Sequence, residues 1–240
     1  MRSQRGLVNS LKASLQGSEV PERVLVLLSG GIDSAVALWM IRRERPESEV
    51  YSLSINYYRR SAAEAEYAAK LAAKAGVVSH TIIELHFLRE IEDQQSPSQI
   101  TYKGAELPPV FIPVRNLIFY SCAAHVATSI NAKRIVVGHN RDDAENFPDV
   151  GPTFIESFNQ LLRESLPGYD LTLEAPLIKY TKREVLRMAV ELGVPLEDTW
   201  SCWGPGAVHC GRCEGCRTRQ RMFRDLGIRD PVAYERINTP

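Results

Sequence analysis

Val24-Leu25-Val26-Leu27-Leu28-Ser29-Gly30-Gly31-Ile32-Asp33-Ser34-Ala35-Val36-Ala37-Leu38 decides the fold. Residues 24–29, apolar except for the last, predict a buried parallel strand. Ser29 to Ser34 turns the chain, and a helix begins at Ala35. A strand that runs through a small-residue loop into a helix makes an anion cradle. The two glycines allow close backbone approach, and the unpaired N–H groups of the first helical turn face the anion. Ser29 and Ser34 add hydroxyls. Asp33, in the first turn, suits either a helix cap or a magnesium ligand. The spacing is neither the Walker loop, with its four residues between glycines and following lysine, nor the dinucleotide fingerprint.

S-G-G-x-D-S after an apolar strand resembles the PP-loop of the ATP pyrophosphatases. Those enzymes split ATP into AMP and pyrophosphate and use the AMP to activate a substrate oxygen. The resemblance implies nucleotide contacts from Leu28 through Leu38, joined by Gly138 at a later strand end.

The second signal is at the other end of the chain. Four of the five cysteines form C-x7-C-x2-C-x2-C at Cys202, Cys210, Cys213 and Cys216. Two C-x2-C steps sharing Cys213 make a knuckle, and Cys202 completes a four-thiolate tetrahedron suited to a structural Zn2+ with no open position. An iron–sulfur cluster and free thiols are the alternatives. The remaining cysteine, Cys122, falls on an apolar helix and reads as a small buried hydrophobe.

Between these ends the chain alternates strands and helices. Strands are expected at 50–55, 79–85, 134–138 and 171–173. Helices are expected at 62–75, 117–130, 153–163, 182–192 and 217–226. This is a doubly wound α/β pattern: a Rossmann-like parallel sheet with helices on both faces. Three segments are expected. Residues 1–20, with apolar residues at helical spacing, form an N-terminal extension. Residues 21–199 form the ATP-binding body, and residues 200–240 a zinc-binding segment. Residues 92–109 carry no period and predict a long loop, either a lid or an insertion. Thr181 and Glu184 spell a capping box, and Pro113 marks a helix entry.

Composition narrows the function. Lysine plus arginine equals aspartate plus glutamate, so net charge is zero, which argues against a broad nucleic-acid footprint. No apolar run reaches membrane-spanning length, and no signal core follows the N-terminal basic residues, so a cytoplasmic enzyme is expected.

Further candidates lie at strand ends. Tyr57, Tyr58, Arg59 and Arg60 suit stacking on a planar ring and gripping an anion. Arg115 and Asn116 stand at a helix entry, where a guanidinium can hold phosphate or carboxylate. Asp142, Asp143 and Asp149 follow the 134–138 strand and suit metal or substrate amino groups. His139 reads as a loop spacer or a phosphate donor.

Together these stretches resemble the 7-cyano-7-deazaguanine synthase family, from Val24 to Tyr234. The carriers are the 29–34 loop, Pro113-Val114-Arg115-Asn116, Asn140, Asp142, Asp143, Phe147-Pro148-Asp149, Pro152-Thr153-Phe154, the cysteine knuckle with Arg217, and Asp230-Pro231. The resemblance implies ATP with Mg2+ and structural Zn2+, a deazapurine substrate, and a two-stage reaction. The carboxylate of 7-carboxy-7-deazaguanine is adenylated and converted by ammonia to the amide, and a second ATP drives loss of water to the nitrile. It implies Asp33, Ser34, Arg115 and Asp143 as catalytic residues. Tyr57, Arg60, Arg115, Asn116, Asp142 and Asp149 are the implied substrate contacts.

The departures sit on the substrate side. Tyr58-Arg59 stands for the family's Gly-Gln, Val114 for Gly in Pro-Gly-Arg-Asn, and Asn146-Phe147 for Gly-Tyr, with Val150-Gly151 for Cys-Arg. They leave room for an activated carboxylate passed to another amine, such as one on a partner protein. The other readings are tRNA thiolation, on the strength of Gly138-His139-Asn140, and a retired binding module. The apolar 117–130 helix fits a core or a homodimer interface.

Overall fold

The computed structural model describes residues 20–57, 61–88, 101–107, 111–204 and 206–235. The expected extension at 1–19, Tyr58, Arg59 and Arg60 lie outside them, as does most of the 92–109 loop.

Five strands form one parallel sheet: β1 (Arg23–Leu27), β2 (Glu49–Tyr57), β3 (His80–Leu85), β6 (Arg134–Val136) and β7 (Thr172–Glu174). Their order is β3-β2-β1-β6-β7. Val24 pairs with Val50 on one side and Arg134 on the other. The chain winds outward from β1 through β2 to β3, then returns to build β6 and β7 on the opposite side. The reversal between β1 and β6 is a topological switch point, where the loops leaving adjacent strands diverge and open a crevice. A two-strand hairpin, β4 (Thr101–Tyr102) and β5 (Ala105–Glu106), stands apart from the sheet.

The helices are α1 (Ile32–Glu44), α2 (Ser61–Ala75), α3 (Arg115–Ser129), α4 (Arg141–Asn146), α5 (Pro152–Ser165), α6 (Lys182–Glu191) and α7 (Glu214–Asp225). Side chains alternate across β1, so its two faces feed two cores. Val24 and Val26 pack with Leu38 of α1, Leu71 of α2, Leu186 of α6 and Phe223 of α7. Leu25 packs with Ala123 of α3 and Phe158 and Leu162 of α5. β1 is therefore apolar at successive positions, as a strand covered on both faces requires.

Several boundaries differ from the sequence reading, each for a local reason. β1 ends at Leu27, and α1 starts at Ile32 instead of Ala35, because Gly31 in extended backbone is its N-cap. Asp33 therefore does not cap the helix. Ala35, Val36, Ala37 and Leu38 are all fully buried in the core. Pro113 is not the first helical residue. Val114 is the N-cap of α3 and adopts the left-handed region (φ 54°), which a β-branched residue rarely enters. α7 begins at Glu214, three residues before the expected start, because the thiol of Cys213 caps it by accepting the Cys216 N–H. The expected capping box is present, with Thr181 and Glu184 bonded reciprocally.

Candidate functional site

The loop between β1 and α1 is built around its serines. The Ser34 hydroxyl donates to the Gly31 carbonyl (3.1 Å) and accepts from the Ser29 N–H (3.2 Å). The two hydroxyls are 3.1 Å apart. Gly30 has φ 82°, and a Cβ there would lie 2.5 Å from the Glu64 carbonyl oxygen. Gly138, leaving β6, lies against the first turn of α1, where a Cβ would come within 2.7 Å of Ser34. Both positions require glycine for reasons of packing, and Gly30 for its backbone as well. The loop thus presents the N-terminus of α1 at the switch point, with its first amides unpaired by the helix.

Beside it lies a charged knot. Lys182, the first residue of α6, places Nζ 2.7 Å from Asp143 Oδ1 and 3.5 Å from Asp33 Oδ2. Asn140 Nδ2 donates to Asp33 Oδ2 (2.9 Å), while Asn140 Oδ1 caps α4 through the Asp143 N–H (3.0 Å). Burial pushes the Asp33 carboxyl up, Lys182 pulls it down, and the neighbouring Asp143 charge raises it again; the net direction is upward. Burial works against the Lys182 ammonium, yet Asp33 and Asp143 outweigh it and hold its pKa high. Asp142 points elsewhere: its Oδ2 accepts the Lys182 N–H (2.8 Å) and pins the start of α6. Lys182 itself was not foreseen in the sequence. The capping box gave its helix position but not its reach across to two other strand ends.

Two clefts meet at this knot, both lined by Asp33 and Asp143. The first, about 280 Å3, runs over the ends of β1, β2 and β6. Its walls include Leu28, Ser29, Tyr57, Arg115, Asn116 and Gly138 from the expected set. The Arg115 guanidinium lies 5.9 Å from the Tyr57 ring centre and 5.8 Å from that of Phe119. Arg115 Nε, Asn116 Nδ2 and the Tyr120 hydroxyl are buried polar atoms with no partner among the described residues. Each such atom costs about 1–3 kcal/mol until an acceptor reaches it. Tyr120, in the second turn of an apolar helix, reads as core in the sequence.

Asp149 lines neither of these two clefts. It is buried, and its Oδ2 accepts the Asn116 N–H at 3.3 Å. Val114 offers no side-chain cap to α3, so Asp149 supplies one from across the fold and holds Arg115 and Asn116 in place. His139 also lines the first cleft; burial keeps it neutral, with its pKa pushed down to about 4.

The second cleft, about 650 Å3, lies between Lys182, the β4–β5 hairpin and the cysteine segment, with Phe147 and Trp203 in its walls.

The cysteines converge as the spacing predicts. Their four sulfur atoms lie within 4.8 Å of one another, with Cys202–Cys213 at 3.9 Å and Cys210–Cys216 at 4.0 Å. A tetrahedron with metal–sulfur bonds of about 2.3 Å has edges of about 3.8 Å, so the set fits a single metal ion. Backbone N–H groups of Gly204, Cys210, Cys213 and Cys216 point at the sulfurs, as thiolates favour. Among the described residues this is the only group of three or more potential ligands close enough for a metal. Asp33, Asp142 and Asp143 do not form one, and an ammonium stands between Asp33 and Asp143 instead. No helix among the described residues is long and apolar enough to cross a membrane.

A parallel five-strand sheet, a Ser-Gly-Gly loop at its switch point and a closed four-cysteine site define a PP-loop α/β protein. The chain belongs to the family described as "Queuosine biosynthesis protein QueC", which matches residues 23–227. Similar proteins include the 7-cyano-7-deazaguanine synthase of Methanothermobacter thermautotrophicus, 37% identical over 88% of this chain and 99% of that one. The synthase of that name from Nostoc sp. is 33% identical over 88% of this chain and 97% of its own. Among solved structures, the U34-tRNA thiolase NcsA from Methanococcus maripaludis, with its [4Fe-4S] cluster, superposes with a TM-score of 0.51 at 16% identity. That match covers 92% of this chain and 72% of the thiolase, and it concerns the fold.

Proposed function

We propose that the protein is an AMP-forming ligase that makes 7-cyano-7-deazaguanine from 7-carboxy-7-deazaguanine, ammonia and ATP. The observation that carries this reading is the meeting of two clefts at Asp33, Asp143 and Lys182, beside the open amides of α1. An adenylation needs two anionic reactants brought together, with cations and N–H donors around the phosphorus that changes partners. In the first stage a carboxylate oxygen attacks the α-phosphorus and pyrophosphate leaves. Ammonia then adds at the acyl carbon, and AMP departs to leave the amide. In the second stage the amide oxygen attacks the α-phosphorus of another ATP and pyrophosphate leaves. Loss of both protons from nitrogen and of AMP from carbon gives the nitrile.

The chain's residues divide as follows. The amides of Gly31, Ile32, Asp33 and Ser34 and the Ser29 and Ser34 hydroxyls hold phosphate oxygens. Arg115 and Lys182 supply positive charge, Lys182 to the departing pyrophosphate. Tyr57 and Phe119 flank a ring, and Asn116 and Tyr120 donate to its polar edge. Asp142 and Asp149 act behind these groups by fixing α6 and α3. With ATP bound, Asp33 and Asp143 would offer carboxylate oxygens to its Mg2+ in exchange for the Lys182 ammonium that bridges them here. The cysteine set would hold Zn2+ and supplies structure, since four thiolates leave no open coordination position. Sulfur atoms this close suit one ion rather than an iron–sulfur core.

The volume of the second cleft, about 650 Å3, favours one further reading, in which the activated carboxylate passes to a larger amine on a partner. The proposal is tested by pyrophosphate release from Mg-ATP. Release should depend on the deazaguanine acid, and guanine without the carboxylate should not support it.

A further inference from the structure

Residues 199–202 cross the Ser-Gly-Gly loop as a strap. The Trp200 N–H donates to the Gly30 carbonyl at 2.8 Å, the bond that joins the strap to the loop. Both ends of the strap are pinned. Upstream, the fully buried Arg219 donates to the Thr199 carbonyl (3.2 Å) and hydroxyl (2.7 Å) and is itself paired with Asp230. Downstream, the strap ends in Cys202, one of the four converging thiols. Between them the Trp200 ring is packed 4.4 Å from His209 and 5.1 Å from Tyr67, and its indole N–H donates to the Cys202 carbonyl (2.8 Å). The strap is closely fitted, with no space for a side chain at Gly215 beneath the Ser201 carbonyl.

The Gly30–Gly31 peptide is planar, so its C=O and N–H point in opposite directions. A donor held on the carbonyl therefore fixes where the Gly31 N–H points. The only partner of that N–H within the loop is a long contact to the Ser29 hydroxyl, 3.4 Å. Glycines on both sides of the bond leave the peptide free to rotate unless something holds it.

We propose that Trp200 is a positioning residue: the metal bound by the four cysteines, acting through the strap, sets the Gly30–Gly31 peptide that receives the phosphates of ATP. The site at Cys202 is thus coupled to phosphate binding without touching the nucleotide. This rests on the reading of the loop as the ATP site.

The test uses the full-length protein in three states: loaded with Zn2+, stripped by chelator under reducing conditions, and reloaded. Hydrogen exchange is followed at the Trp200 amide, which donates to the Gly30 carbonyl, and at those of β1. ATP and adenosine affinities are measured by calorimetry. Stripping should speed exchange at the Trp200 amide and leave β1 protected. It should weaken ATP on the order of tenfold, the worth of one net hydrogen bond, with adenosine unchanged, and reloading should reverse both. Unchanged exchange at Trp200 overturns the inference, as does faster exchange throughout the sheet or an equal loss for adenosine. Failure of the loaded protein to bind ATP overturns the reading of the loop instead, and the exchange data still decide the coupling.

Discussion

Lys182 Nζ lies 2.7 Å from Asp143 Oδ1, joining the N-terminus of α6 to the loop after β6 at the point where the two clefts meet. With Asp33 on its other side, the ammonium holds together two carboxylates whose mutual repulsion would otherwise open the site.

Lys182→Gln removes that cation. Acid-dependent pyrophosphate release should fall about 100-fold, the scale seen when a positioned electrostatic group is deleted. Stability should fall by about 1–3 kcal/mol near neutral pH. The loss should shrink at lower pH, because the Asp33 carboxyl, already raised by burial, protonates readily and relieves its repulsion with Asp143. Urea unfolding at pH 8 and pH 5 checks the sign.

Val114→Gly should stabilise the protein. A β-branched residue at φ 54° costs about 1–3 kcal/mol, and the exposed Val114 side chain returns little burial. The greater freedom of glycine in the unfolded chain offsets about 0.5–1 kcal/mol of the gain. A net rise of about 1 kcal/mol in urea unfolding is expected. Val114→Ala should give less, because it keeps the Cβ that causes the strain.

Stability should decline on the acid side through His139. Its pKa is pushed down to about 4 in the fold, against an ordinary value near 6.5, so the unfolded chain binds the proton first. The contribution is fully present above about pH 6.5 and is lost as pH falls toward 4, at up to about 1.4 kcal/mol per pH unit. His139→Gln should flatten that part of the stability–pH curve; an unchanged slope would mean that His139 is not the group responsible.

Cys216→Ser should lose the bound metal, while Cys122→Ser should keep both metal and activity. Cys122 lies on α3, away from the four-sulfur set, and burial pushes its thiol pKa up, the wrong direction for a reactive thiolate. Metal per chain by elemental analysis separates the two variants. Equal metal loss in both would contradict the assignment.

Where a pattern in the sequence is local, it predicts the structure closely. The 24–38 stretch gave strand, loop and helix, and the cysteine spacing gave a converged four-sulfur site. What escaped the reading depends on contacts between distant segments. Lys182 reaches Asp33 across about 150 residues of chain. Asp142 and Asp149 have the chemistry of ligand contacts but face backbone amides instead. Val114 is a related case: its place in the Pro113-Val114-Arg115-Asn116 stretch was visible, but the left-handed backbone that makes it costly was not.

The most direct measurement is mass spectrometry of the product formed from 7-carboxy-7-deazaguanine, Mg-ATP and 15N-ammonium. The proposed function predicts that two ATP are converted to AMP and pyrophosphate per product, and that the nitrile carries one 15N. Amide without nitrile, or AMP formation with no 15N in the product, would contradict it.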